Sequence, residues 1–258
     1  IYCMYNSNPS LVNVTITGNS ASENGGGIQC YNNSNPSLVN CILWNNSPQE
    51  IFQDDYLTVT YSDIEGSWEG TGNIDADPLF VDADNGDFHL SDYSPAIGAG
   101  TATGAPSTDI DGNIRPNPAG STPGMGAYEN ALGSPSAPPV PTNLAATVGN
   151  GVVNLSWTGN DYATSYSVYR STTSGSGFTA IATGIDTVVY QNTGLTNDNT
   201  YYYKVSSTGA GGESDLTDEI SAKPQAQKYT VKTDGSGDYT VIQTAIDATT
   251  DGDTVLVY

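Results

Sequence analysis

The chain writes one stretch of itself twice. Shifted by 27 residues, IYCMYNSNPSLVNVTIT (1–17) overlies IQCYNNSNPSLVNCILW (28–44) with ten of seventeen positions identical. A period in the twenties is that of a solenoid, in which each unit cannot bury its apolar face alone and stacks on the next. Within the unit, Leu11 and Asn13 share one parity while Val14 and Ile16 share the other. A change of phase in a two-residue alternation means a bend between two short strands, and asparagine tolerates the left-handed backbone that such a bend needs. Each unit is therefore expected to be a bent coil. Ile1, Cys3, Leu11, Val14 and Ile16 point inward, Ile28, Cys30, Leu38, Cys41 and Leu43 stack on them, and Asn13 lies on Asn40. Parallel pairing places like on like, which is why the same six residues, NPSLVN, recur.

Composition agrees with an all-β chain: Gly 29, Tyr 17 and only 13% charged residues in 258. The formal net charge is −22, from 28 acids against six bases. A surface this acidic repels phosphate backbones and anionic lipid, which excludes nucleic-acid and membrane-surface roles. No run reaches the roughly 20 apolar residues of a membrane span, so no membrane insertion is expected in this chain. The chain opens on Ile1 rather than on a methionine and the ending DTVLVY falls inside a strand-like stretch, so the chain reads as a piece of a longer protein. Cys3, Cys30 and Cys41 are too few for a disulfide framework and fit as small core fillers. A disulfide between Cys3 and Cys30 and a metal-binding role stay open, although no second pair or neighbouring histidine completes a ligand set.

GGGIQCYNNSNPSLVNCILWNN (25–46) resembles the coils of the right-handed parallel β-helix, pectate-lyase-like superfamily. DADPLFVDADNGDFHLSDYSPAIGAG (75–100), followed by DIDGNIRPNPAGSTPGMGAYE (109–129), resembles the closing segment of the choice-of-anchor Q group of bacterial surface β-helix proteins. The resemblance covers residues 1–133, expected to wind as superposed parallel turns ending in that segment. It implies a secreted or surface-anchored product and does not by itself imply an enzyme.

Residues 134–140, rich in proline and serine, form a linker. Beyond it strands alternate about every ten residues, as a small sandwich does. Residues 141–224 resemble a fibronectin type III domain: Trp157 fits the buried tryptophan of the second strand, and Leu195 with Tyr201 fits the tyrosine corner, with Tyr203 and Val205 continuing inward. In 225–258, Ile242, Ala245 and Ile246 stand at helical spacing and DGD precedes an apolar strand. That strand–helix–strand segment resembles the N-terminal cap of a second pectate-lyase-like β-helix. It either caps its own downstream coils or folds back on residues 1–16. The expected fold class is thus all-β: right-handed parallel β-helix, sandwich, and a short cap.

Chemistry is sparse. Lyases of this fold need a base beside bound calcium, yet residues 1–133 hold sixteen acids and one base, Arg115, placed by the resemblance in the closing segment. Arg115 is read as a structural ion pair. Glycoside hydrolysis needs two carboxyl groups facing each other across a groove. Asp54, Asp55, Asp63 and Glu65 are candidates, though spacing alone does not make any pair converge. His89, in GDFHLS, does not match the histidine motif of the hydrolases of this fold and reads as an ordinary strand residue. Calcium is the sharpest local possibility. Asp82, Asp84 and Asp87 in DADNGD, and Asp109, Asp111 and Asn113 in DIDGN, alternate oxygen ligands with glycine as hard-cation loops do. Neither completes a twelve-residue loop, and the same residue types favour tight turns. TDGSGD (233–238) lacks the lysine and spacing of a phosphate loop and reads as a turn. Trp44, Trp68, Tyr61 and the Tyr201–Tyr203 run are candidates to stack on sugar rings, outward-facing Tyr202 foremost in the sandwich.

Two functions follow. One is a non-catalytic part of a large secreted or cell-surface bacterial protein, a repeat scaffold with a sandwich spacer serving adhesion or contact with extracellular polysaccharide or cell-surface glycan. The other is an accessory part of a modular polysaccharide-degrading enzyme whose catalytic β-helix lies outside this chain. No catalytic residue is expected in either.

Overall fold

Like does lie on like. In the computed structural model, which describes residues 1–53, 56–249 and 253–258, nine short strands form three parallel ladders. The first joins β1 (Tyr2–Cys3), β4 (Ile28–Cys30) and β7 (Ile51–Gln53). The second joins β2 (Ser10–Val12), β5 (Ser37–Val39) and β8 (Thr58–Thr60). The third joins β3 (Thr15–Thr17), β6 (Ile42–Trp44) and β9 (Asp63–Ile64). Cys3 pairs with Cys30, Leu11 with Leu38 and Ile16 with Leu43, the registers that the repeat demands. Leu38 then pairs with Val59, so a step of 27 residues is followed by one of 21. Cys3, Ile16, Ile28, Cys30, Leu38, Cys41 and Leu43 are buried together, with Leu11 and Val14 packed against them. Ile1 departs from the expectation: it is 49% exposed. The three cysteines are buried thiols, and burial pushes that of Cys41 up to about 11.

The corner between the second and third ladders is left-handed in every coil, at Asn13 (φ 52°), Asn40 (φ 54°) and Tyr61 (φ 50°). Asn40 Nδ2 donates to Asn13 Oδ1 (3.1 Å) and to Thr101 O (2.8 Å), and its Oδ1 accepts from Thr101 N (2.8 Å). Asn13 Nδ2 in turn donates to Gly124 O (2.9 Å). The asparagines therefore serve twice, allowing the bend and fastening a covering segment to it. Replacing Asn40 with alanine is expected to cost about 3 kcal/mol, from the strained left-handed backbone and the loss of its bonds to three groups, Asn13 Oδ1, Thr101 O and Thr101 N. Asn40→Gly should restore about 1 kcal/mol of that by removing only the backbone strain; chemical denaturation of both variants checks the split.

The covering segment corrects the expectation that parallel turns continue to residue 133. After residue 74 the chain makes an antiparallel hairpin, β10 (Phe80–Asp82) with β11 (Asp87–Leu90), and then runs irregularly over the third ladder. Its composition explains this, since Gly, Pro and Asp interrupt any alternation long enough to pair. Outward-facing Ile42 is buried beneath Leu90, Ala96, Ile97 and Met125. Gly126 sits so close that a Cβ there would lie 2.7 Å from Ile42 Cδ1, and its φ of +84° suits glycine. These residues complete a unit spanning Ile1–Ala137; a second spans Pro138–Tyr258.

The second unit holds the fibronectin type III sandwich. One sheet is β12 (Thr142–Gly149), β13 (Val152–Thr158) and β16 (Val189–Asn192). The other joins β14 (Ser165–Ser171), β15 (Thr179–Ile185), β17 (Tyr201–Gly209), β18 (Gly212–Glu213) and β19 (Ile220–Ala222). Trp157, Tyr203 and Val205 are buried between them, as expected. The tyrosine corner is a hydrogen bond from Thr196 N to Tyr201 Oη (3.1 Å). Tyr201→Phe should cost about 1–2 kcal/mol by stranding that amide, read as a lower urea midpoint with unchanged slope. The last elements are β20 (Lys228–Val231), α1 (Ile242–Asp247) and β21 (Thr254–Val257), the two strands pairing in parallel. Of the three residues at helical spacing only Ala245 is buried; Ile242 and Ile246 are each 48% exposed.

Candidate functional site

Two successive amides at one coil corner gather an unusual pair of acids. Asn45, following β6, is left-handed (φ 58°). Consecutive N–H groups in such a turn point into one concavity that attracts anions. Asn45 N donates to Glu65 Oε2 (2.6 Å) and Asn46 N to Glu50 Oε1 (2.7 Å), while Asn46 Nδ2 reaches Glu50 Oε2 (2.5 Å). Glu50 arrives from the turn into β7 and Glu65 from the end of β9, one coil apart. Glu50 is 5% exposed. Burial pushes its carboxyl up to about 7; the bonds from Asn46 pull it down, and the Glu65 carboxylate, within hydrogen-bonding reach, raises it further. Both acids line a cleft of about 460 Å³ whose wall includes Trp68, half-buried and packed against the solenoid core.

The cleft bears on the chemistry a carboxyl pair can perform. Glycosidases hold their two carboxyl groups roughly 5–9.5 Å apart, to leave room for a sugar carbon or a water. The Glu65 carboxylate stands within hydrogen-bonding reach of Glu50, closer than two carboxyl groups that flank a glycosidic bond. Of the acids marked by sequence, Glu65 is in this pair. Asp54 and Asp55 lie outside the described residues. Asp63 stands apart: it is fully buried, its Oδ1 accepts from Ala76 N (3.2 Å), and its Oδ2 has no partner. Burial pushes it up to about 7, with Asp75 and Asp77 adding to the shift.

The two acidic loops are joined by the residue read as an ordinary strand histidine. His89 Nδ1 meets Asp87 Oδ1 (2.5 Å), its Nε2 meets Asp111 Oδ2 (2.8 Å), and its ring stacks on Tyr128 (4.1 Å between centroids). The two carboxylates hold the imidazole above its usual range, which favours the charged ring bridging both loops. Because the ring nitrogens point opposite ways, Asp87 and Asp111 do not converge on one point. Asp82 accepts twice from Asn85 Nδ2. Asp84 lies in the 3-10 turn that closes the hairpin. Asp109 accepts from Asp111 N, Asn113 N, Asn113 Nδ2 and Glu129 N. Burial raises the Asp109 carboxyl, but these bonds outweigh it and hold it below the usual range. Among the described residues no group of three or more His, Cys, Asp or Glu side chains is placed to hold a metal ion.

Arg115 is the structural ion pair expected of it. Its Nε donates to Glu129 Oε2 (2.8 Å), both side chains are almost wholly buried, and Nη2 donates to Gly126 O (3.1 Å). Among the aromatic candidates Trp44 and Tyr61 pack under the covering segment, and Tyr201 and Tyr203 are core residues. Sequence reasoning missed Glu50 and Asn46; the signal available was their place in a turn between two coils, a contact that no local pattern announces.

A parallel β-solenoid followed by a fibronectin type III sandwich is what these elements define, and among the described residues no helix is long and apolar enough to cross a membrane. No protein-family model matches the chain. A stretch of 90 residues, 34% of the chain, is 39% identical to amylopullulanase from Thermoanaerobacterium saccharolyticum and spans 7% of that protein. Another match is 41% identical over 90 residues to amylopullulanase from Thermoanaerobacter thermohydrosulfuricus, spanning 6% of it. The chain thus covers a small part of these relatives. Among solved structures it is similar to an Fn3-like protein from Clostridium thermocellum, 40% identical over 33% of this chain and 92% of that one, with a TM-score of 0.32.

Proposed function

We propose that this chain is a non-catalytic region of a large secreted or cell-surface bacterial protein, a solenoid scaffold with a sandwich spacer that contacts glycan. The observation that carries the reading is the Glu50–Glu65 pair: the solenoid's aromatic cleft has carboxyl groups, but they lie too close together for glycoside hydrolysis. The resemblance of the coils to pectate-lyase-like β-helices, and of residues 75–129 to the choice-of-anchor Q segment, fits the same role, since a lyase base is missing where Arg115 is tied to Glu129.

A second version is favoured by one finding, the similarity to amylopullulanases, which are polysaccharide-degrading enzymes. In it the chain is an accessory part whose catalytic domain lies elsewhere in the parent protein. Both versions predict binding without turnover. The chain is expected to be retained on insoluble polysaccharides in affinity electrophoresis while releasing no reducing sugar, with or without calcium. Turnover by the chain itself would overturn both versions, and failure to be retained on any polysaccharide would remove the glycan contact.

A further inference from the structure

We propose that the cleft beside Trp68 takes one hexose unit of a neutral glycan chain and rejects uronate units; this rests on the glycan-contact reading above and assigns it a place. Three features of the cleft combine. Its volume, about 460 Å³, falls in the range of small-ligand sites. Trp68 supplies an indole wall, and because the ring also packs against the solenoid core its orientation is set before a ligand arrives. The apolar face of a pyranose stacks on such a ring while its edge hydroxyls seek acceptors.

Glu65 provides those acceptors. It is exposed, and a carboxylate has about four lone-pair sites, of which Asn45 N occupies one and the side toward Glu50 another. Asn45 N and Asn46 N hold the two acids in place, so the acceptor geometry is pre-formed on a coil corner rather than on a long loop. Pre-formed acceptors lose less entropy when they bind.

Charge sets the selection. A uronate brings a carboxylate that needs a cation or a cluster of donors. Residues 1–137 contain one Lys or Arg, Arg115, and it is buried against Glu129. The cleft instead presents Glu65 in a chain of net charge −22, so a uronate meets repulsion with nothing to offset it. A neutral hexose has no such cost. The proximity of Glu50 to Glu65 leaves the glycosidic bond intact, which makes this a binding site rather than a cleaving one.

Isothermal titration of the full chain with maltohexaose, cellohexaose, xylohexaose and hexagalacturonate tests the assignment, with tryptophan fluorescence recorded in parallel. At least one neutral hexasaccharide is expected to bind and shift the emission, while hexagalacturonate at the same concentration does not bind. Trp68→Ala is expected to weaken binding tenfold or more. Because Trp68 also packs on the core, Ser67→Arg serves as a second variant: Ser67 is exposed at the cleft and a long side chain there obstructs it without touching that packing. Equal affinity in wild type and a folded Ser67→Arg, or hexagalacturonate binding as tightly as the neutral sugars, overturns the assignment. If the chain is retained on polysaccharide while both variants bind as the wild type does, glycan contact stands and this cleft is not its site. If no glycan is retained at all, both fall together.

Discussion

Replacing Arg115 with methionine is expected to destabilise the first unit by about 3–5 kcal/mol, the cost of removing one partner from a buried ion pair. Glu129 is why the loss is large. Its carboxylate accepts from Arg115 Nε, Asn117 N and Gly124 N, so the covering segment is gathered around it. Without the guanidinium a charge remains, its side chain almost wholly buried, and Gly126 O loses its Nη2 donor. Arg115→Lys should recover only part of the loss, since an ammonium cannot reproduce the directed Nε and Nη2 bonds. The double variant Arg115→Met/Glu129→Gln should be less destabilised than Arg115→Met alone, because the orphaned charge is gone. Urea unfolding of the four proteins measures this. A cost below 1 kcal/mol for Arg115→Met would mean that the covering segment is held by its apolar contacts alone.

The second large effect has the opposite sign. Asp63→Asn is expected to stabilise the first unit at pH 8 by on the order of 4 kcal/mol and to change little at pH 4. The folded carboxyl titrates near 7, against a reference value of 3.8. Between those values the folded state keeps a proton that the unfolded chain has released, so stability falls as pH rises from about 4 to 7 and levels off above. Glu50, raised from 4.5 to about 7, pulls the same way over the same interval. His89 is also raised, and its contribution, present at low pH, is lost as pH climbs through its folded value. Asp109, held low, works in reverse: its contribution is present above its ordinary value of 3.8 and is lost as pH falls through the lower folded value. The first unit should therefore be most stable in mild acid. Thermal melting between pH 4 and 9 tests this, and a wild-type curve that rises toward pH 8, or an Asp63→Asn variant with no gain there, contradicts the assignment of an unpaired buried carboxyl.

Asp63 also marks where local reading ends. It pairs in register with Ile42, and both face outward from the solenoid. In a simple coil that position meets water, where aspartate is unremarkable. Here the covering segment lies over it, and a surface residue becomes a buried acid. The same segment hides Ile42, which alternation alone would leave exposed beside inward Leu43. The third coil was equally hidden. Its step is 21 residues instead of 27, and Tyr61 stands at the corner where the repeat leads one to look for asparagine.

What the residues themselves determined is what repeats or alternates. The identity of 1–17 with 28–44 dictates parallel stacking, because an in-register ladder rewards the same side chain at the same corner. The two-residue period of the sandwich strands likewise selects Trp157, Tyr203 and Val205 for its core. Tertiary structure alone decided which distant groups meet: Glu50 with Glu65 on two neighbouring amides, His89 between two acidic loops, Arg115 with Glu129 beneath the cover. Periodicity is local and survives in a string of letters. Convergence depends on how coils and covering segment close on one another, and burial, which changes the proton affinity of Glu50 and Asp63, comes into being only when they do.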